Sequence, residues 1–261
     1  MSFDGLPSDP FRYIASDFDN FFRVMLDGDD TAKTADYFSI ATGLPHGIAN
    51  LVISRSGADL NLMRELITPR TSVDYPTAVA ILEQPIEPVA ELINKLGWAA
   101  RETIHCMAAD LQSIPSLENT DNLQILEVDQ NEHKLWVDVM SEGYELPQDF
   151  VERIGPGAQR ITNCTDNIHF RFFLALENGV PTSTSAHMVT DSVIGIYDVS
   201  TRPAYRGRGL GRFVTLAPLL NARKEGYKTA VLQASEMGAP IYEKIGFESV
   251  GTFPLYFNSE H

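Results

Sequence analysis

Apolar residues at three- and four-residue spacing over residues 13–28, with Ile14, Phe18, Phe21, Phe22 and Met25 on one face, predict an amphipathic helix closed by Gly28. Residues 37–42 and 48–54 read as short strands around the turn Gly43-Leu-Pro-His-Gly47. Residues 63–66 read as the tail of a helix ahead of Pro69, and 77–82 as a further strand. A helix over 89–96 stops at Gly97, and 98–108 reads as a pair of strands. Turn formers and polar residues then crowd into 113–122, which marks a linker.

The pattern restarts with a strand over 123–128, a helix over 130–142 carrying Leu135, Trp136, Val139 and Met140, and a short helix over 147–154. Three apolar runs at 170–176, 180–189 and 193–199 are joined by Asn178-Gly179 and Thr190-Asp-Ser192, the pattern of an antiparallel meander. The third run leads into the alternating glycines Gly207, Gly209 and Gly211. A helical face of Phe213, Leu216, Ala217 and Leu220 follows, bent by Pro218 and ended by Gly226. A strand at 229–233, a short helix at 237–245 and one or two strands within 247–257 complete the pattern.

Residues 90–98 (Ala-Glu-Leu-Ile-Asn-Lys-Leu-Gly-Trp) and 239–247 (Ala-Pro-Ile-Tyr-Glu-Lys-Ile-Gly-Phe) align at a constant offset of 149, each after a strand-like run. This echo reads as an internal duplication. The copies differ where it matters: Ile93 stands opposite Tyr242, and no glycine turn precedes the first copy.

Composition adds bounds. The chain has 261 residues, 44% hydrophobic and 21% charged, as expected of globular domains, one or two in number. A formal net charge of −15 excludes a broad nucleic-acid surface, which needs clustered cations. No run reaches the ~18 apolar residues of a membrane span, and the N-terminus lacks a signal-peptide pattern, so a cytoplasmic protein is expected. Cys106 and Cys164 form no CxxC pair and the histidines lack ligand spacing, so no metal is expected.

Against the acidic average, Arg202, Arg206, Arg208 and Arg212 surround the three glycines. Glycines let the backbone approach an anion, and the helix that follows points its unpaired amides at the same place. The Rossmann spacing Gly-x-Gly-x-x-Gly is broken, since Arg212 or Thr215 falls at the third glycine, and the Gly-Lys-Ser/Thr of a P-loop is absent. Arg206-Gly-Arg-Gly-Leu-Gly211 instead resembles the Arg/Gln-x-x-Gly-x-Gly/Ala motif of the GNAT superfamily of N-acetyltransferases. The stretches 199–206 and 232–247 resemble that family's fourth strand and its fifth strand with the following helix, and the likeness runs over about 123–258.

That resemblance implies an α/β chain of two tandem GNAT-like domains, each a mixed, mostly antiparallel sheet flanked by helices. Residues 1–118 form a degenerate copy without the acyl-CoA motif, and 123–261 the catalytic one. It implies acetyl-CoA as acyl donor, with the backbone of Arg206, Gly207, Arg208, Gly209, Leu210, Gly211 and Arg212 on the pyrophosphate and that of Val199 and Thr201 along the pantetheine arm. It also implies direct transfer of the acetyl group to a small primary amine, held in a cleft partly formed by residues 141–158, with a strand amide of 193–199 stabilising the oxyanion. Tyr242 matches the tyrosine that protonates the departing thiolate, a role suited to a phenol that keeps its proton at neutral pH. Asp198, Glu142, Glu236 and an ordered water all stand as candidate bases. The competing class is a non-enzymatic acyl-CoA-binding sensor; either would be a monomer or homodimer with no nucleic-acid or membrane partner.

Overall fold

The computed structural model describes residues 3–26, 31–118, 120–129, 131–152, 168–190 and 192–258. Gly28, Cys164 and the 153–158 part of the expected cleft lie outside them. Eleven strands form one mixed sheet in the order β1-β2-β3-β4-β11-β5-β10-β9-β8-β7-β6.

Helix α1 (Pro10–Met25) opens the chain, capped by Asp9, whose side chain accepts from the Arg12 amide. Short strands β1 (Thr31–Lys33), β2 (Tyr37–Ile40) and β3 (Leu51–Ser54) follow, then helix α2 (Leu60–Ile67) and β4 (Ala78–Ile81), which lies parallel to β3. Helix α3 (Glu87–Lys95) leads into β5 (Ala99–Asp110), one twelve-residue strand where the sequence pattern suggested two. The first half of β5 is wetter than the second, whose Cys106–Ala109 are fully buried.

Beyond the turn after β5 come β6 (Leu123–Glu127), α4 (His133–Gly143) and helical residues 148–152, α5. The meander is then present as written: β7 (His169–Glu177), β8 (Val180–Val189) and β9 (Val193–Thr201) pair antiparallel. Asn178 and Gly179 both adopt positive φ (52° and 79°), the conformation a two-residue hairpin turn with right-handed strand twist requires. Helix α6 (Leu210–Glu225), β10 (Thr229–Ala234), parallel to β9, α7 (Ala239–Glu243) and β11 (Glu248–Phe257) finish the chain.

Strands β5 and β11 stand at the centre, exchanged relative to chain order: β5 pairs with β10, and β11 with β4. They also pair with each other, antiparallel, over most of their lengths. Ala99 and Glu248, their first residues, are separated by the same offset of 149 that relates the echoed segments.

Helices α1 and α4 cover one face of the sheet, α1 over β5, β10 and β11 and α4 over β8 and β9, in one apolar core with Phe21, Trp136, Met140 and Phe253. Helix α6 covers the other face, with Leu216 and Leu219 against Met107, Ile194 and Leu232. Ile114, within the stretch read as a linker, is buried in this second core. Pro218, inside α6, cannot supply the amide that would bond the Val214 carbonyl four residues earlier. Ser185 of β8 fills that role, its hydroxyl donating to Val214 O at 2.9 Å, while its own carbonyl accepts from Trp136 Nε1 at 3.2 Å on the opposite face. Ser185→Ala is expected to lower stability by about 1–3 kcal/mol in urea denaturation, the cost of an orphaned buried acceptor.

Under α1, Asp17 is 5% exposed and accepts a 2.6 Å hydrogen bond from the Tyr197 hydroxyl of β9. Gly195 leaves room for it, since a Cβ there would stand 2.7 Å from Asp17 Oδ2. Burial pushes the Asp17 carboxyl up to about 7, against a smaller opposing effect of the Tyr197 bond. A carboxyl whose affinity for a proton is higher folded than unfolded makes the native state bind more protons between pH 4 and 7, so this group's contribution falls as pH rises through that window. The stability of the wild type minus that of Asp17→Asn should therefore decrease by up to roughly 4 kcal/mol from pH 4.5 to 8, measured by denaturant titration.

Candidate functional site

Strands β9 and β10 pair only from Val193↔Thr229 to Ile196↔Leu232, although β9 continues to Thr201 and β10 to Ala234. Past Ile196 a gap opens between two parallel strands in the interior of the sheet. A β-bulge sharpens it: Ala186 and Thr184 of β8 face Tyr197 and Ser200, leaving Asp198 and Val199 opposite the single residue Ser185, and Asp198 takes a φ of 50°. The Arg202 amide donates to the Thr182 carbonyl of β8. By strand alternation the backbone of Thr201 and Val199 turns the other way, into the gap.

At the outer end of the gap the chain makes the glycine turn. Gly207 and Gly209 have φ of 78° and 79°, with nothing within 4 Å of where a Cβ would stand. Gly209 is the N-cap of α6 and no side chain caps that terminus. The first turn of α6 therefore presents unpaired amides and the positive end of the helix dipole to open space. The corresponding helix of the first half differs: α2 is capped by Asp59, whose carboxylate accepts from the Asn61 and Leu62 amides at 2.9 and 3.0 Å. There the parallel pair also stays zipped, the Leu82 amide bonding Ser54 O and the Ile86 amide bonding Gly57 O.

The arginines of the turn are less free than their spacing suggested. Arg202 pairs with Glu142 at 2.9 Å, Arg206 with Glu145 at 3.2 Å and Arg208 with Glu177 at 2.9 Å. Arg206 also donates to the carbonyls of Gly143 (2.7 Å) and Thr201 (3.2 Å), strapping the turn to the end of α4. Arg212 has no ion pair among the described residues.

At the inner end stand three titratable side chains. Asp198 has its Oδ2 buried without a hydrogen-bond partner, and burial raises its carboxyl to about 7. Tyr242 of α7 packs edge-on against Phe247 at 6.0 Å, and burial holds its phenol well above the usual tyrosine range. Tyr144, the C-cap of α4, donates to Val199 O at 3.3 Å. Its phenol is pushed up by burial and by the nearness of Asp198 and Tyr242, so the three lie within electrostatic reach of one another.

Of the candidate bases, half-buried Asp198 has a carboxylate oxygen shut off from solvent, Glu142 is engaged by Arg202 and Glu236 is exposed. Tyr144 escaped sequence reasoning because a tyrosine after an amphipathic helix carries no local signal. Its place is set by the α4 C-cap and by Glu145 beyond it, at a φ of 54°. His133 and His187 are buried, with burial lowering the proton affinity of both, and no group of described residues could hold a metal ion. No helix among the described residues is long and apolar enough to cross a membrane.

Residues 177–250 match the family model of the acetyltransferase (GNAT) domain. Glucosamine 6-phosphate N-acetyltransferase of Trypanosoma brucei brucei is 39% identical over 54 residues, a match that spans 21% of this chain and only 37% of that relative's length. Among solved structures, a GCN5-related N-acetyltransferase from Kribbella flavida superposes with a TM-score of 0.65 at 15% identity, over 98% of each chain. A tandem GNAT protein from the clavulanic acid biosynthesis pathway superposes with a TM-score of 0.55 at 11% identity, over 97% of this chain and 96% of that one. The chain thus carries a GNAT acetyltransferase domain, and its eleven-stranded sheet has the fold of the GNAT proteins, tandem ones included.

Proposed function

We propose that the protein is an acetyl-CoA-dependent N-acetyltransferase acting on a small amine, with one active site in the gap between β9 and β10. The observation that carries this reading is the gap itself, with an uncapped helix terminus at one end and Asp198 and Tyr242 at the other. The amides of 206–212 hold the pyrophosphate and the gap-facing backbone of Val199 and Thr201 lines the pantetheine arm. Residues 1–118 and 123–261 act as two GNAT-like halves joined by exchange of β5 and β11, the first having lost its donor site. Its helix terminus is occupied by Asp59 and its parallel pair is closed. The matched glucosamine 6-phosphate enzyme supports an amine acceptor in general terms.

In the proposed reaction the neutral amine attacks the thioester carbonyl and its proton passes to Asp198. A β9 amide stabilises the oxyanion, the C–S bond breaks, and Tyr242 gives its proton to the leaving sulfur. A carboxyl held at about 7 accepts a proton near neutrality far better than one at the ordinary carboxylate value. Release of CoA thiol with a panel of amines tests the reading: turnover with at least one amine is expected, while tight acetyl-CoA binding without turnover on any would identify a sensor instead. The rate should rise with pH through about 7, and Asp198→Asn should abolish that limb along with most of kcat. Tyr242→Phe should lower kcat by roughly 10²-fold or more with little change in acetyl-CoA affinity; an unchanged kcat would assign the acid elsewhere.

A further inference from the structure

The gap-facing carbonyls of Val199 and Thr201 are both taken by side chains of this same chain, and the two are held differently. Arg206, which bonds Thr201 O, is anchored as well by Gly143 O and the Glu145 carboxylate, so it belongs to a fixed strut. Tyr144 reaches Val199 O at 3.3 Å, long for a hydroxyl donor, whose usual distance is about 2.7–2.8 Å. The residue is 46% exposed, and this is the hydroxyl's only hydrogen bond among the described residues. The phenol therefore makes a weak, replaceable contact with a backbone acceptor that an interrupted ladder leaves open.

We infer that Tyr144 stands in for the acyl donor: its hydroxyl occupies the Val199 carbonyl in the unliganded protein and gives it up when the amide-bearing pantetheine arm enters the gap. The inference rests on the donor reading above. Two observations fit it. Val199 O is a single acceptor on the gap side of the bulge, where an amide N–H of a ligand running beside β9 would pair as a neighbouring strand does. A phenol is protonated at neutral pH in any case, and burial, with Asp198 and Tyr242 adding to it, pushes this one further that way, so it is a neutral donor to the carbonyl before the ligand arrives and stays one beside Asp198 once displaced.

The sign of the effect on donor binding separates this role from a supporting one. If the phenol competes with the donor, removing its hydroxyl removes a bond that binding has to break. Tyr144→Phe should then bind acetyl-CoA roughly three- to tenfold more tightly than the wild type, the range of one net hydrogen bond, in isothermal titration calorimetry. CoA without the acetyl group should show the same gain, because the competition is with the pantetheine arm. Unchanged or weaker binding by Tyr144→Phe, with the wild type binding normally, would overturn the inference and leave the donor reading standing. A wild type that binds neither acetyl-CoA nor CoA would remove both. Tyr144→Leu, also lacking the hydroxyl, gives the same sign if Tyr144→Phe proves poorly folded by thermal denaturation.

Discussion

Backbone amides and carbonyls inside a sheet have to find partners, and between β9 and β10 the ladder stops at Ile196 and Leu232 with both strands still running. Most of the described site follows from how that interruption is kept open. On the far side β10 stays paired with β5 as far as Ala234, so it cannot swing across to close the gap. On the near side the bulge at Asp198 and Val199 bends β9 away, and α4 grips the bent strand through Ser200, whose hydroxyl lies 3.3 Å from Met140 O. Gly143 is part of that grip: a Cβ there would stand 2.5 Å from Ser200 Oγ, so only glycine lets α4 end so close to the strand. The end of α4 then places Tyr144 and Glu145, the first reaching into the gap and the second holding Arg206 of the glycine turn.

The exchange of β5 and β11 bears on the same constraint. Strand β5, which comes before β6–β9 in the chain, is the wall that holds β10, and β11, which follows β10, backs it from the other side. Helix α1 reinforces this wall from one face, with Phe21 stacked on Tyr197 at 3.8 Å and Gln233 bonding the Ile14 carbonyl at 2.8 Å. Both Tyr197 and Gln233 sit one residue past the last β9–β10 pair. Helix α1, from the start of the chain, therefore packs where the ladder parts.

Much of this was legible in the chain because it is locally encoded. Asn178-Gly179 specifies its hairpin, the apolar spacing of α1 its buried face, and the alternating glycines a turn whose positive φ at Gly207 and Gly209 few other residues tolerate. The nine-residue echo carried the offset that the exchanged strands share. What stayed hidden is non-local. Nothing in 99–110 says that its partners are residues 229–234 and 248–257, nor that its exposed first half continues a strand. Asp198, one of several acidic residues in the pattern, is singled out only by the bulge that buries it, and Tyr144 only by the helix end that aims it. The arginines misled in the opposite direction: their clustering suggested free positive charge, whereas three of the four are matched by glutamates distant in sequence.

That neutralisation decides how an anion could be held at the turn of so acidic a chain. With a net charge of −15, the protein as a whole repels a polyanion such as CoA, and at physiological ionic strength charges more than about 8 Å away are screened in any case. Attraction has to be local, and the arginine side chains supply little of it, since Glu142, Glu145 and Glu177 cancel three of the four at contact distance. What remains are the fixed dipoles: the uncapped amides at the start of α6, reached without steric hindrance past Gly207 and Gly209, together with Arg212, which has no ion pair among the described residues. Those amides are held in place by the helix they begin, so they need no reordering when a ligand arrives, whereas a long arginine side chain would have to be immobilised. The arginines serve better as struts than as ligands, fixing the turn against α4 and β7 so that the amides converge on one point.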